Sequence, residues 1–139
     1  MERAAKAAWL RRFRQLDSEW RACWEELRFW EEKAGRLVGV YGERVGKGGV
    51  SPDLGDAAAQ IVELEAELRG RLEGLVACRR AIGAAIEGVE DARLRHLLVL
   101  RYVEGLTLEE VAERMFYSWR QVQRLHGQAL DVLVVPEGV

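Results

Sequence analysis

Between Trp9 and Tyr41 the apolar residues fall at Trp9, Phe13, Leu16, Trp20, Cys23, Leu27, Trp30, Ala34, Leu37 and Tyr41, in steps that alternate between four and three. That spacing places them all on one stripe of an α-helix and excludes a strand, whose faces alternate every second residue. A stripe of this length is a heptad seam, and it requires a partner helix to cover it. Arg11, Arg12, Asp17, Glu19, Glu25, Glu26, Glu31 and Glu32 lie between the seam positions and form the solvated face. Leu10 and Trp24 flank the seam and widen it, which predicts contact with more than one helix. Aromatic side chains at helical spacing are ordinarily core, so no ligand is assigned to them.

The partner follows after a break. Gly39 to Gly55 holds six glycines and the pair Ser51-Pro52, which predicts a long mobile loop at about 42–55. Lys47-Gly-Gly lacks the spacing and the Lys-Ser/Thr end of a phosphate-binding loop and reads as connector. Ser51 before Pro52 suits a helix start, with the proline at the first helical position. The next helix is predicted from about Asp53 or Asp56 to about Val89, with apolar residues at Ala57, Ile61, Leu64, Leu68, Leu72, Leu75, Cys78, Ile82, Ile86 and Val89. Two successive steps of four between Leu64 and Leu72 interrupt its register. The simplest arrangement folds it back antiparallel on the first helix, as a long hairpin that dimerises through what remains of its apolar surface.

Gly88 to Asp91 forms a joint, after which a helix is predicted from Arg93 to Val103, with Leu94, Leu97, Leu98 and Val99 facing inward in part and Gly105 ending it. Arg95 and His96 lie where they could approach a phosphate. Thr107-Leu-Glu-Glu110 then has the form of a capping box, and Ser118-Trp-Arg-Gln121 repeats it, so helices should start at Leu108 and Trp119 around a tight turn at Met115, Phe116 and Tyr117. The first should bury Leu108, Val111, Ala112 and Met115, and the second Val122, Leu125, Ala129, Leu130 and Leu133. This leaves Trp119, Arg120, Gln121, Gln123, Arg124 and Gln128 on the open side of the second helix, with Ser118 as its cap, a set suited to phosphates and base edges. Capped amphipathic helix pairs also finish many ordinary helical domains. Charge separates the readings: from Arg114 to Gln128 there are three arginines, one histidine and no acid, while the helix before carries Glu109, Glu110 and Glu113.

The sequence of 139 residues carries a formal net charge of −2, which argues against a protein that coats nucleic acid nonspecifically but permits a local basic face. Its two cysteines, Cys23 and Cys78, stand in apolar helical stretches without the close Cys/His spacing of a zinc site and read as small core residues. Met1 to Leu10 has no apolar signal region, and no apolar run is long enough to cross a bilayer, so the expected location is the cytoplasm, away from any membrane. No nucleophile-base constellation or metal spacing stands out, so neither catalysis nor a cofactor is expected.

The run from Arg93 through Arg101-Tyr-Val-Glu-Gly105, then Thr107-Leu-Glu-Glu-Val-Ala112, Tyr117-Ser118 and Val122, resembles the region 4 domain of bacterial sigma factors. Its continuation, from Met115-x-Tyr117-Ser118 through Arg124-Leu125-His126-x-x-Ala129-Leu130, together with the long helical region before it, is similar to a family of small phage-encoded proteins. These are regarded as sigma-region-4-like transcriptional regulators, among them activators of late genes. No region resembling the promoter-melting and core-polymerase-binding domains fits in 139 residues, so a complete sigma factor is not expected.

The resulting expectation is an all-α chain: a coiled-coil-like antiparallel hairpin over residues 1–88 that oligomerises, dimer first, and a helix-turn-helix over 89–139. Its function would be non-enzymatic, sequence-specific regulation of transcription by a phage or prophage protein that binds double-stranded DNA. The alternatives are a helical adaptor docking on RNA polymerase or another protein, and the DNA-recognition subunit of a phage packaging machine.

Overall fold

A computed structural model describes residues 1–42 and 52–137. The chain is all-α, with no strand among the described residues. Helices α1 (Arg3–Gly42) and α2 (Pro52–Glu87) are followed by α3 (Ala92–Leu98), a π-helical turn (Val99–Val103), α4 (Leu108–Met115) and α5 (Trp119–Val132). The molecule divides into two compact units: residues 18–74, and residues 1–17 together with 75–139.

In the first unit α1 and α2 pack antiparallel. Cys23 and Leu27 bury against Leu64, with Trp30, Ile61 and Leu68 partly covered around them. The two steps of four in α2 have a visible consequence. Leu72 turns outward, 44% exposed, and Arg71 takes the seam-facing place, bonding Glu67 on its own helix at 2.9 Å and Glu19 of α1 at 3.2 Å. Trp24 does not widen the seam as expected. It is exposed, stacks on Trp20 at 6.4 Å and lies under the Arg28 guanidinium, because its place beside the stripe faces solvent. Helix also occupies more of the glycine-rich region than expected. Gly39 and Gly42 fall within α1, and α2 begins at Pro52 itself, where a missing N–H costs nothing and Asp53 favours the positive end of the helix dipole. Residues 43–51, which include Lys47-Gly-Gly, lie outside the described residues.

The second unit holds the larger core. Leu10, Ile82, Leu97, Leu98, Val111, Val122, Leu125 and Leu133 are all but fully buried, and Ala7, Trp9 and Cys78 join them. Thus the first turns of α1 and the last of α2 close over the three C-terminal helices. Val111 and Ala112 of α4, and Val122, Leu125, Ala129, Leu130 and Leu133 around α5, are buried as their spacing required, while Leu108 and Met115 are partly covered.

The helix expected from Arg93 to Val103 is not uniform. Its second half widens into a π turn in which the Glu104 N–H reaches the Val99 carbonyl, five residues back, at 2.9 Å. The Leu106 N–H bonds the Leu100 carbonyl at 3.0 Å, and Arg101 Nη1 donates to the Leu106 carbonyl at 2.9 Å, so the emerging chain is tied back to the turn. Gly105 then takes φ +78°, as expected of the terminating residue, and a β-carbon there would stand 2.6 Å from the Arg14 guanidinium of α1. Phe116 makes a similar left-handed turn between α4 and α5, at φ 60° and ψ 38°, but its side chain is 93% exposed. These positions should respond oppositely to substitution. Gly105→Ala should destabilise by about 1–2 kcal/mol from the left-handed cost, with the Arg14 guanidinium free to shift aside, whereas Phe116→Gly should stabilise by up to about 1 kcal/mol, both read from denaturant midpoints.

Candidate nucleic-acid interface

α5 is held at both ends. Ser118 caps it, its Oγ accepting the Gln121 N–H at 3.1 Å. The reciprocal bond of a full capping box forms only at α4, where Thr107 Oγ1 accepts the Glu110 N–H at 3.2 Å and Glu110 Oε1 accepts the Thr107 N–H at 3.3 Å. At α5 the expected box is therefore half made, and the Gln121 side chain remains available. At the other end Asp131 receives Arg3 Nε of α1 at 2.7 Å, and Lys6 Nζ donates to the Asp131 carbonyl at 3.1 Å. Asp131 is the single acid of α5, and the Arg3 guanidinium beside it holds its carboxyl below the usual carboxylate range.

The expected contact residues are brought together on one helix. Ser118, Trp119, Arg120, Gln123, Arg124 and Gln128 are exposed and Gln121 is half-covered, on the side opposite the buried Val122, Leu125, Ala129 and Leu130. Ser118, Arg120, Gln121 and Arg124 line a shallow cleft of about 240 Å³ that no acid enters. Such a surface offers guanidinium forks, amide groups and a hydroxyl, the donors and acceptors that pair with phosphate oxygens and base edges.

A second acid-free cleft, of about 380 Å³, adjoins the turn and is lined by Ala92, Arg93, His96, Arg114, Met115 and Tyr117. Its cations are partly answered at the rim, Arg93 by Asp91 at 3.2 Å and Arg114 by Glu104 at 3.9 Å. Of the two α3 residues expected near phosphate, His96 lines this cleft and Arg95 does not. Arg95 Nη1 is spent on the Val89 and Glu90 carbonyls at 2.6 and 2.8 Å, tying the joint before α3. A different surface cleft, near Val132, carries Glu90 and Asp91 with no base and is unsuited to a polyanion. Among the described residues no group of three His, Cys, Asp or Glu is placed to hold a metal ion. No described helix is long and apolar enough to cross a membrane.

His126 has a partner that its position in the helix pattern does not reveal. From the inner side of α5 its Nε2 lies 2.6 Å from the hydroxyl of buried Tyr102, and the two rings stack at 5.8 Å. With the proton on Nδ1, Tyr102 donates to Nε2 and the π turn is pinned to α5. The i to i+3 and i+4 steps reveal which face of a helix is buried, but not which polar atoms meet across a core.

Residues 91–133 match the family model for Sigma-70, region 4. The match spans α3, the π turn, α4 and α5, so this part of the chain is a sigma region-4-like helix-turn-helix. Neither the curated proteins nor the solved structures gave a match to the chain.

Burial, followed by the nearby Arg101, Arg11 and Arg3, pushes the His126 pKa below its ordinary value of 6.5. A proton therefore binds the unfolded ring more readily than the folded one, and stability falls as the pH drops through the unfolded value toward the depressed folded one. His126→Gln should flatten the loss of melting temperature between neutral pH and the mildly acidic range. An equally steep loss in that variant would show that the ring is not its source.

Proposed function

We propose that this protein is a non-enzymatic, sequence-specific DNA-binding regulator of transcription, encoded by a phage or prophage and acting in the cytoplasm. The observation that carries the reading is the exposed side of α5. From Ser118 to Gln128 it offers arginine, glutamine and serine without an acid, on a helix-turn-helix that matches Sigma-70, region 4. In this geometry the second helix of the pair enters the major groove by its N-terminal residues. Arg120, Gln121 and Arg124 take base edges or phosphates, Trp119, Gln123 and Gln128 support them, and Ser118 orients the helix end.

The two arginines can be told apart by binding duplexes across a range of salt. An Arg120→Ala or Arg124→Ala variant that loses a base contact forfeits roughly 1–3 kcal/mol of discrimination at one position of the site. One that loses a phosphate contact weakens binding to all sequences alike and lowers the salt slope by about one. If both variants bind every duplex as the parent does, α5 is not the reading helix.

A second reading draws on a specific feature of the same surface. Phe116 is 93% exposed at the turn, and Trp119 is 45% exposed one residue past the cap. Aromatic groups so placed are anchors for protein, and an adaptor docking on RNA polymerase would use them. Salt separates the two readings, because apolar anchoring survives ionic strength that strips phosphate contacts.

Oligomerisation through residues 1–88 belongs to the same proposal. Trp24 and Leu72 are exposed, and Trp20, Glu65, Leu68, Arg69 and Leu72 line a cleft with one acid and one base, a pattern that a two-fold partner can meet with the same residues. Mass measurement by light scattering should give a dimer. A ring would favour the packaging-subunit alternative, and a monomer at all concentrations would remove the two-fold arrangement.

A further inference from the structure

The strongest concentration of cations outside α5 is at the beginning of α1. Residues 1–16 contain Arg3, Lys6, Arg11, Arg12 and Arg14 and a single acid, Glu2. This segment lies outside the 91–133 match, yet it packs in the same compact unit as α5. Its placement against the reading helix is defined at several points. Arg3 holds Asp131 through Nε, and Lys6 holds the Asp131 carbonyl. The Arg3 side chain also lies across Gly127, where a β-carbon would stand 2.6 Å from its guanidinium. Arg3 and Arg11 are both near enough to depress the pKa of His126.

Arg120, Arg124, Gly127 and Asp131 follow one another at steps of four, three and four, which is one line along a helix. Arg3 therefore continues the line of Arg120 and Arg124 toward the end of α5, over the one position that has no side chain to obstruct it. It also cancels the only acid of that helix. The Arg3 side chain remains 58% exposed while bonded, so its guanidinium is open to a second anion.

We infer that Arg3 and Lys6 form a second phosphate-binding element of this protein, which takes the DNA backbone beside the C-terminal half of α5. This inference rests on the DNA-binding reading of α5. Arg3 and Lys6 neutralise Asp131 in the free protein and share themselves with a backbone phosphate in the complex. The recognition surface is thus built from both ends of the chain.

The test separates the cations from the acid they cover. Full-length Asp131→Asn, the triple variant Arg3→Ala/Lys6→Ala/Asp131→Asn, and Arg120→Ala/Arg124→Ala are titrated, beside the parent, with a labelled mixed-sequence duplex of about 30 base pairs across a range of potassium chloride. Circular dichroism melting checks that each is folded. Asp131→Asn should bind more tightly than the parent, and the triple variant should have a salt slope shallower than Asp131→Asn by about two. Arg3→Lys/Lys6→Arg in the Asp131→Asn background should restore the slope. An unchanged slope in the triple variant, while Arg120→Ala/Arg124→Ala flattens its own, would overturn the inference, leave Arg3 as a staple between α1 and α5, and spare the DNA reading. Salt-independent or absent binding by the parent would overturn both. Should the triple variant melt too early to assay, Arg3→Gln/Asp131→Asn is read in its place against the same slopes, with an expected change of about one.

Discussion

The helix-turn-helix of this chain depends on a core it cannot complete alone. The match to Sigma-70, region 4 spans residues 91–133, a stretch near the lower limit at which a chain can bury enough apolar surface to fold by itself. Leu10 of α1 and Ile82 of α2, both wholly buried, enter the same cluster as Leu97, Val122 and Leu125. Removing water from these side chains is the main favourable term, at roughly 25 cal/mol for each Å² of apolar surface. The orientation of α5 is therefore set partly by helices distant in sequence. Arg3 of α1 bonds Asp131 near the end of α5, and the Arg14 side chain of α1 lies over Gly105 before α4.

This arrangement also explains how a chain with a net charge of −2 can carry a locally basic helix face. Residues 18–74 hold eight bases and twelve acids, while the rest of the chain holds thirteen bases and eleven acids. The acidic excess belongs to the unit that lacks the helix-turn-helix. Within the other unit, α4 keeps Glu109, Glu110 and Glu113, but Glu110 is occupied in the capping box, and α5 keeps only Asp131, which Arg3 answers. Charge segregation of this kind makes the unit that carries the helix-turn-helix the more favourable of the two for a polyanion.

Much of this was legible in the sequence because helix geometry is local. The steps of three and four in Trp9 to Tyr41, the Thr107 box, the Ser118 cap and the glycine at 105 each specify a backbone outcome within a few residues, and the structure contains all of those outcomes. What sequence spacing could not supply was which surfaces meet. The seam of α1 indicates that Trp9 is buried but not that Leu10 beside it reaches into the helix-turn-helix. The double step at Leu72 signals a slip, but not that Arg71 would turn inward to Glu19. The contact of Tyr102 with His126 joins residues on different helices and leaves no periodic trace. The π turn was hidden for another reason. Its extra residue is accommodated by carbonyl bonds from Leu106 and Arg101, which depend on the packed position of the strand of chain leaving the helix.

The two left-handed residues show how the same backbone demand leads to different chemistry. At 105 the Arg14 guanidinium lies over the turn but can move aside, so glycine answers chiefly the conformational requirement of φ +78°. At 116 the turn opens to solvent, and an L-residue meets the same conformational requirement there. An L-residue there costs about 1–2 kcal/mol, and an exposed phenylalanine recovers none of it through burial in the free protein. That cost is met by the backbone: the Tyr117 N–H bonds the Ala112 carbonyl at 3.0 Å and the Phe116 N–H bonds the Glu113 carbonyl at 3.3 Å, which closes the end of α4. Phe116 lies two residues before the cap of α5 and presents its ring to solvent there. The strained turn and the basic line of Arg120, Arg124 and Arg3 thus bracket the same helix. One supplies an exposed apolar group near its start and the other a charged edge along its length.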